Sequence, residues 1–195
     1  MAKPAKFDRQ EVISKATSLY WKKGFHATSM RNLQDEIDMR PGSIYAAFSS
    51  KDGLFIEALK NYTDSVLSQL REMENCHSSS LAALNAFVKE QVINSQTNAP
   101  NGMCMLAKTM GELTEENQEL IDITKGHLNE IALGLASLIK QAQVNGEIDK
   151  AKNAEELAQH VQIQIAGLRT FAKINFDKAL LNKKIDDIFD HHPFK

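Results

Sequence analysis

Hydrophobic side chains recur three and four positions apart along almost the whole of this chain. That spacing puts them on one side of an α-helix, and no stretch alternates apolar and polar residues long enough to build a sheet. A first helix is expected to open at Asp8, where Asp8 and Glu11 form a cap and third-position pair and Phe7 and Val12 flank it as a hydrophobic staple. Val12, Ile13, Ala16, Leu19 and Tyr20 continue as one stripe up to Gly24, which ends the element. Thr28 or Ser29 caps a second helix reaching about Ile37, with Met30, Leu33 and Ile37 inward, and Asp38-Met39-Arg40 breaks it. Pro41 suits the first position of a third helix carrying Ile44, Tyr45 and Phe48, and Ser49-Ser50 caps a fourth over about 51–73.

The polar run 74–80 reads as a joint between two regions. Beyond it the pattern predicts helices over about 81–95 and 103–110, separated by a loop ending in Ala99-Pro100-Asn101-Gly102. A long helix follows from Thr114-Glu115-Glu116 to Asn145-Gly146, then one from the Asn153 and Glu156 capping pair to about Ile174, and a last one over about 178–189. The fold class is all-α with about nine helices. Residues 1–50 form a small head and 51–195 a larger helical body, with the helix 51–73 linking the two.

A chain of 195 residues that is 43% hydrophobic and 25% charged is close to the globular average, which excludes a disordered, collagenous or disulfide-scaffold protein. No apolar run is long enough to span a membrane, and MAKPAKFDRQ lacks the apolar stretch of a secretory signal. Two cysteines, Cys76 and Cys104, fit a reducing compartment, so a cytoplasmic protein is expected. The net charge of −2 hides an asymmetry: residues 1–60 carry ten basic and seven acidic side chains, the remainder 13 basic and 18 acidic. A mildly basic head on an acidic body is compatible with a polyanion met at one end.

The chemistry concentrates in 25–59. Two short helices with a three-residue break fit a helix-turn-helix, whose second helix enters the DNA major groove. Gly42, Ser43, Ala46 and Ala47 keep that helix thin on its outer side, while Ile44 and Phe48 hold it to the helices behind. Lys51 falls at a helix N-terminus, where its charge and the free amides both favour a phosphate.

The succession of a helix, Gly24-Phe25-x-Ala27-Thr28-Ser29, a turn, and Pro41-Gly42-Ser43-Ile44-Tyr45-x-x-Phe48-x-x-Lys51-x-x-Leu54 resembles the tetracycline-repressor (TetR) family of bacterial transcriptional regulators. The resemblance implies a homodimer with two DNA-binding heads and a ligand-sensing, dimerising body that releases a pseudo-palindromic operator when a small-molecule effector binds. It implies that Thr28 and Ser29 meet phosphates and that Lys51 clamps the backbone. Arg40, Gly42, Ser43, Tyr45 and Ala46 then lie on or beside the recognition helix, with Arg40 the candidate for reading a guanine. The chain departs from the family in having Asp38 where the turn commonly has Gly, and Ala46-Ala47 where bulkier polar residues are frequent.

In the body, Phe87, Met103, Met105, Met110, Leu128, Ile131, Leu135, Gln162 and Phe171 are candidate pocket-lining residues, since Met-rich walls suit variable apolar ligands. The run Pro100-Asn101-Gly102-Met103-Cys104 resembles a segment of those family members that respond to oxidants or electrophiles through a cysteine. Lys108, one turn on, would favour the Cys104 thiolate; the alternative is a Cys104 that is a small core hydrophobe. Residues 154–174 are apolar on two faces, and with the last helix they predict a four-helix dimer seam through Leu157, Val161, Ile163, Gly167, Leu181, Ile185 and Ile188. No metal site or cofactor is called for: His191-His192 are adjacent and the other histidines are scattered. There is no nucleophile elbow and no phosphate-cradling Gly loop, which speaks against an all-α enzyme. A helix-turn-helix used for protein contacts stays open as an alternative.

Overall fold

The structure is a computed structural model describing residues 7–98 and 100–195, with the backbone alone at 97, 98 and 101. Every regular element among these residues is helical: α1 (Arg9–Lys23), α2 (Met30–Ile37), α3 (Pro41–Phe48), α4 (Lys51–Cys76), α5 (Ser80–Lys89), α6 (Ser95–Asn98), α7 (Met105–Glu112), α8 (Gln118–Val144), α9 (Ala154–Ile174) and α10 (Lys178–Asp190). A π-turn, Glu90–Asn94, joins α5 to α6 without a break, so 80–98 is one rod. Short 3₁₀ turns occupy Pro100–Gly102 and Glu115–Asn117. Residues up to Asp64 with Met105–His127 form one compact unit, and Ser65–Cys104 with Leu128–Lys195 a second.

The first unit is built on caps and one apolar centre. Asp8 accepts from the amides of Gln10 (2.9 Å) and Glu11 (3.2 Å) to open α1. Gly24, at φ 92°, closes α1 by donating its amide to Tyr20 O at 2.7 Å. Tyr20, Leu33, Ile44, Leu54 and Phe55 are buried together in this unit. Gly53 is obligatory at the α3–α4 corner, because a Cβ there would stand 2.0 Å from Phe48 O.

In the second unit the buried side chains of α5 and the π-turn (Leu84, Phe87, Val88, Val92), α8 (Leu135, Ile139), α9 (Val161) and α10 (Leu181, Ile185) make the core. Glu147, in the turn after α8, reaches the start of α5. It accepts from Ser79 Oγ (2.6 Å) and from the amides of Ser80 (3.1 Å) and Leu81 (2.7 Å). A carboxylate in that place satisfies amides that a helix start leaves without partners.

Several expected ends move. α4 continues to Cys76 because Glu74 and Asn75 sit on a solvent face and need not stop a helix. α7 begins at Met105 rather than 103, and a 3₁₀ turn precedes α8. The residues expected at a dimer seam divide into two sets. Leu157, Val161, Leu181, Ile185 and Ile188 are buried within the single chain, at 3, 0, 0, 0 and 7% exposure, and so serve its own core. Ile163 and Gly167 alone of that set are exposed. The apolar face left open on α9 runs instead through Ile163, Gly167, Phe171 and Ile174.

Candidate nucleic-acid interface

Local chemistry sets α2 and α3. Ser29 is extended, its hydroxyl accepts from the Asn32 amide at 3.1 Å, and Asn32 Oδ1 accepts from the Ser29 amide at 3.2 Å. That reciprocal pair is a capping box with Asn in the usual Glu position. Asp38 then turns the chain in the left-handed region (φ 52°, ψ 47°), which Asp tolerates better than most residues. Pro41 takes the first position of α3, where its missing amide hydrogen leaves no bond unmade.

α3 has two unlike faces. Ile44 and Phe48 are buried, whereas Arg40, Gly42, Ser43, Tyr45 and Ala46 are exposed, Tyr45 by 50%. A Cβ added to Gly42 would meet nothing within 4 Å. The outer face is therefore narrow, with Ser43, Tyr45 and the Arg40 guanidinium as its hydrogen-bonding groups. Such a surface can approach a groove closely and read base edges.

Two cations hold α3 and the loop between α1 and α2. Arg9 donates to Ala47 O at 3.0 Å, pairs with Glu57 at 2.9 Å and lies 4.4 Å from the Phe48 ring centroid. Lys51 donates to Phe25 O at 2.6 Å and stands 4.2 Å from the Phe25 ring centroid. Burial lowers the Lys51 ammonium below the ordinary lysine range, against the opposing pull of Asp52 and Glu112. Thr28 is buried, and its hydroxyl donates to Gly24 O at 2.5 Å. Two groups expected on phosphates, the Thr28 hydroxyl and the Lys51 ammonium, thus also hold the loop between α1 and α2. Ser29 stays exposed at the start of α2.

Two sets of contacts in this unit are not legible in the sequence. Glu112, at the end of α7, accepts from the amides of Phe25 (3.0 Å) and His26 (2.6 Å). Lys108 donates to Trp21 O (3.0 Å) and Lys22 O (2.9 Å), carbonyls of the last turn of α1. Their partners lie 86 or 87 positions away, so no local pattern could have revealed them. With Gly24 in between, where a Cβ would stand 2.3 Å from Glu112 Oε2, α7 grips the base of the helix-turn-helix.

Residues 12–58 match the family model described as "Bacterial regulatory proteins, tetR family", and residues 80–186 match "Tetracyclin repressor-like, C-terminal domain". The chain belongs to the tetR family. Family members are DNA-binding transcriptional regulators rather than enzymes. Among curated relatives, the HTH-type transcriptional repressor ComR of Escherichia coli is 25% identical over 173 residues, 88% of this chain and 82% of that protein. The repressor BdcR of the same organism is 42% identical over 60 residues, which is 31% of this chain and 30% of BdcR. A cysteine mutant of the TetR-family regulator CifR, solved with 26bp double-strand operator DNA, has a TM-score of 0.84 at 24% identity, covering 98% of this chain and 100% of that one. Reduced NemR of E. coli gives a TM-score of 0.78 at 14% identity, over 96% of this chain and 97% of NemR. These two likenesses show the fold.

The tetR-family body carries the expected pocket residues in two places. Met105 and Met110 belong to the first unit, and Phe87, Met103, Cys104, Leu128, Ile131, Leu135, Gln162 and Phe171 to the second. Phe87, Met105, Ile131 and Leu135 are buried, while Met103, Cys104, Met110, Leu128 and Gln162 are half-buried. Gln162 donates to Leu128 O at 2.9 Å. Phe171, expected to line a pocket, is 40% exposed on the open face of α9. Cys104 stands immediately before α7, and the Lys108 ammonium that was expected to serve its thiol is engaged at the end of α1. A cleft of about 670 Å³ in the second unit is lined by His77, Ser79, Asn85, Lys89 and Asp186, none of them singled out from sequence. No helix among the described residues is long and apolar enough to cross a membrane.

Proposed function

We propose that the chain is a repressor that binds a pseudo-palindromic operator as a homodimer and leaves it when an effector occupies the body. The observation that carries this reading is the open outer face of α3, where Arg40, Gly42, Ser43, Tyr45 and Ala46 are exposed while Ile44 and Phe48 anchor the helix from behind. Residues 1–50 act as the reading head and 51–195 as the sensing and dimerising body. Ser29, the backbone at Thr28 and Lys51 meet phosphates, and Arg40 reads a guanine edge. The exposed apolar stripe Ile163, Gly167, Phe171 and Ile174 on α9 supplies the self-complementary seam, because Gly167 lets a second helix come close. Two heads on one dimer read half-sites about 34 Å apart, or a multiple of it.

A second route to release rests on Cys104. It directly precedes α7, whose Lys108 and Glu112 hold α1 and the loop after it, so a bulky adduct there would disturb both grips. Cys104→Ser then keeps its operator affinity but loses release by oxidants; an unchanged oxidant response in that variant returns Cys104 to a packing role.

Selection of duplexes from a random pool, with the stoichiometry of the winning complex, tests the main reading. An enriched palindrome bound by two subunits, weakening steeply as salt rises, is the expected result. Failure to enrich any sequence at low salt, with or without candidate effectors, overturns it.

A further inference from the structure

Arg169 is the one charged residue fully buried among the described residues, at 4% exposure. It sits on α9 against the π-turn, and its hydrogen-bond acceptors among the described residues are neutral. Nε donates to Gln91 O, and Nη2 lies 3.3 Å from Gln91 Oε1. Gln91 Nε2 in turn donates to Gln69 Oε1 at 2.7 Å. These bonds use the side edge of the guanidinium. Its end-on edge, a parallel pair of N–H groups on Nη1 and Nη2, has no acceptor among the described residues.

An arginine keeps its charge in a protein, and a buried charge without a counter-charge is strongly unfavourable. The π-turn shows that this arrangement is specific. The Gln91 carbonyl accepts from both Arg169 Nε and the Ser95 hydroxyl. Local π-turns recur where a helix re-aims groups for function. The free end-on edge matches the two oxygens of a carboxylate, and the single positive charge matches one negative charge rather than a dianion.

We propose that Arg169, oriented by Gln91 and Gln69, is the anchor for the carboxylate of a small organic monoanion, the effector class of this regulator. This rests on the effector-sensing part of the proposed function. Gln91 is then a positioning residue. It keeps the side edge of the guanidinium occupied, so that the end-on edge alone faces the ligand.

The test uses the full-length protein with acetate, octanoate and benzoate, each beside its primary amide, read by thermal stability and by equilibrium dialysis without DNA. At least one carboxylate should bind saturably, one per subunit, and raise the melting temperature, while its amide does neither. Arg169→Lys should keep the fold and weaken that binding about tenfold or more, since an ammonium cannot present the fork. Arg169→Met should abolish it, yet leave the ligand-free melting temperature unchanged or higher, as removal of an uncompensated buried charge predicts. Carboxylates and amides acting alike, binding unaffected in Arg169→Lys and Arg169→Met, or a ligand-free Arg169→Met that melts well below wild type would overturn the assignment. Operator binding is measured separately: a protein that binds its palindrome but no carboxylate loses this inference alone. One that binds carboxylate without releasing DNA keeps the site and loses the release mechanism.

Discussion

The head and the body of this protein use their helices in opposite ways. In the first unit the working surface is what the chain leaves uncovered: α3 buries Ile44 and Phe48 and turns Arg40, Ser43, Tyr45 and Ala46 outward. In the second, the informative group is one that the chain has covered, Arg169, buried with only neutral hydrogen-bond partners among the described residues. An exposed reader of a polymer needs shape and a few donors on a rigid support. A sensor of small molecules needs a polar group in an apolar interior, where each hydrogen bond is stronger and an unmade one costs more.

The sharpest contrast within the head comes from neighbouring residues. Ile44→Ala removes a fully buried side chain and should lower unfolding stability by about 2–5 kcal/mol in urea titration. Tyr45→Ala should change stability by no more than about 0.5 kcal/mol while weakening operator binding. If Tyr45→Ala instead unfolds the head, the two-face description of α3 fails. Next in size, Arg40→Ala should cost about 1–3 kcal/mol of operator affinity and relax preference at one base pair. An unchanged preferred sequence in that variant removes Arg40 from base reading. Lys51→Ala should weaken binding to every sequence alike and lower the salt slope by about 1, as loss of one phosphate contact does. A salt slope equal to wild type would leave Lys51 only its bond to Phe25 O.

The smallest effect belongs to the body's joint. Burial pushes the Glu147 carboxyl up, but hydrogen bonds from Ser79, Leu81, Ser80 and Asn145 outweigh it and hold the group below its ordinary value of 4.5. A depressed carboxyl stabilises the fold above its unfolded value and loses that contribution as pH falls through the folded one. Glu147→Gln should therefore be less stable than wild type near neutrality, by well under about 1 kcal/mol after solvent screening, with the gap closing as pH drops below 4.5. A gap that persists in acid would assign the effect to packing.

What the sequence made legible follows the range of the interactions. Asp8, Ser29, Asn153 and Asp177 mark helix starts through partners two or three residues away, Pro41 marks one through its own ring, and all of these but Asp177 are legible in the sequence. The outward set on α3 was readable too, because Ile44 and Phe48 fix its phase by themselves. Apolar spacing could not decide which partner an apolar residue meets. The same spacing admits Leu157 and Val161 to a seam or to the chain's own core, where they are buried, and Phe171 to a pocket wall or to the open face, where it is exposed. The grips of Lys108 and Glu112 and the bonds of Arg169 to Gln91 join residues 78 to 87 positions apart. Nothing in a local pattern encodes them.

The central claim is that the face of α3 left open by the chain itself is the face that reads DNA. Gly42 offers the most direct test, since a Cβ there meets nothing in the protein. Urea unfolding and titration against the selected duplex should be run side by side for wild type and Gly42→Val. Unchanged stability, within about 0.5 kcal/mol, together with an operator affinity lower by about tenfold or more is the predicted result. Equal affinity for the operator in the two proteins would show that DNA does not meet this face, and the account of the head would have to be abandoned.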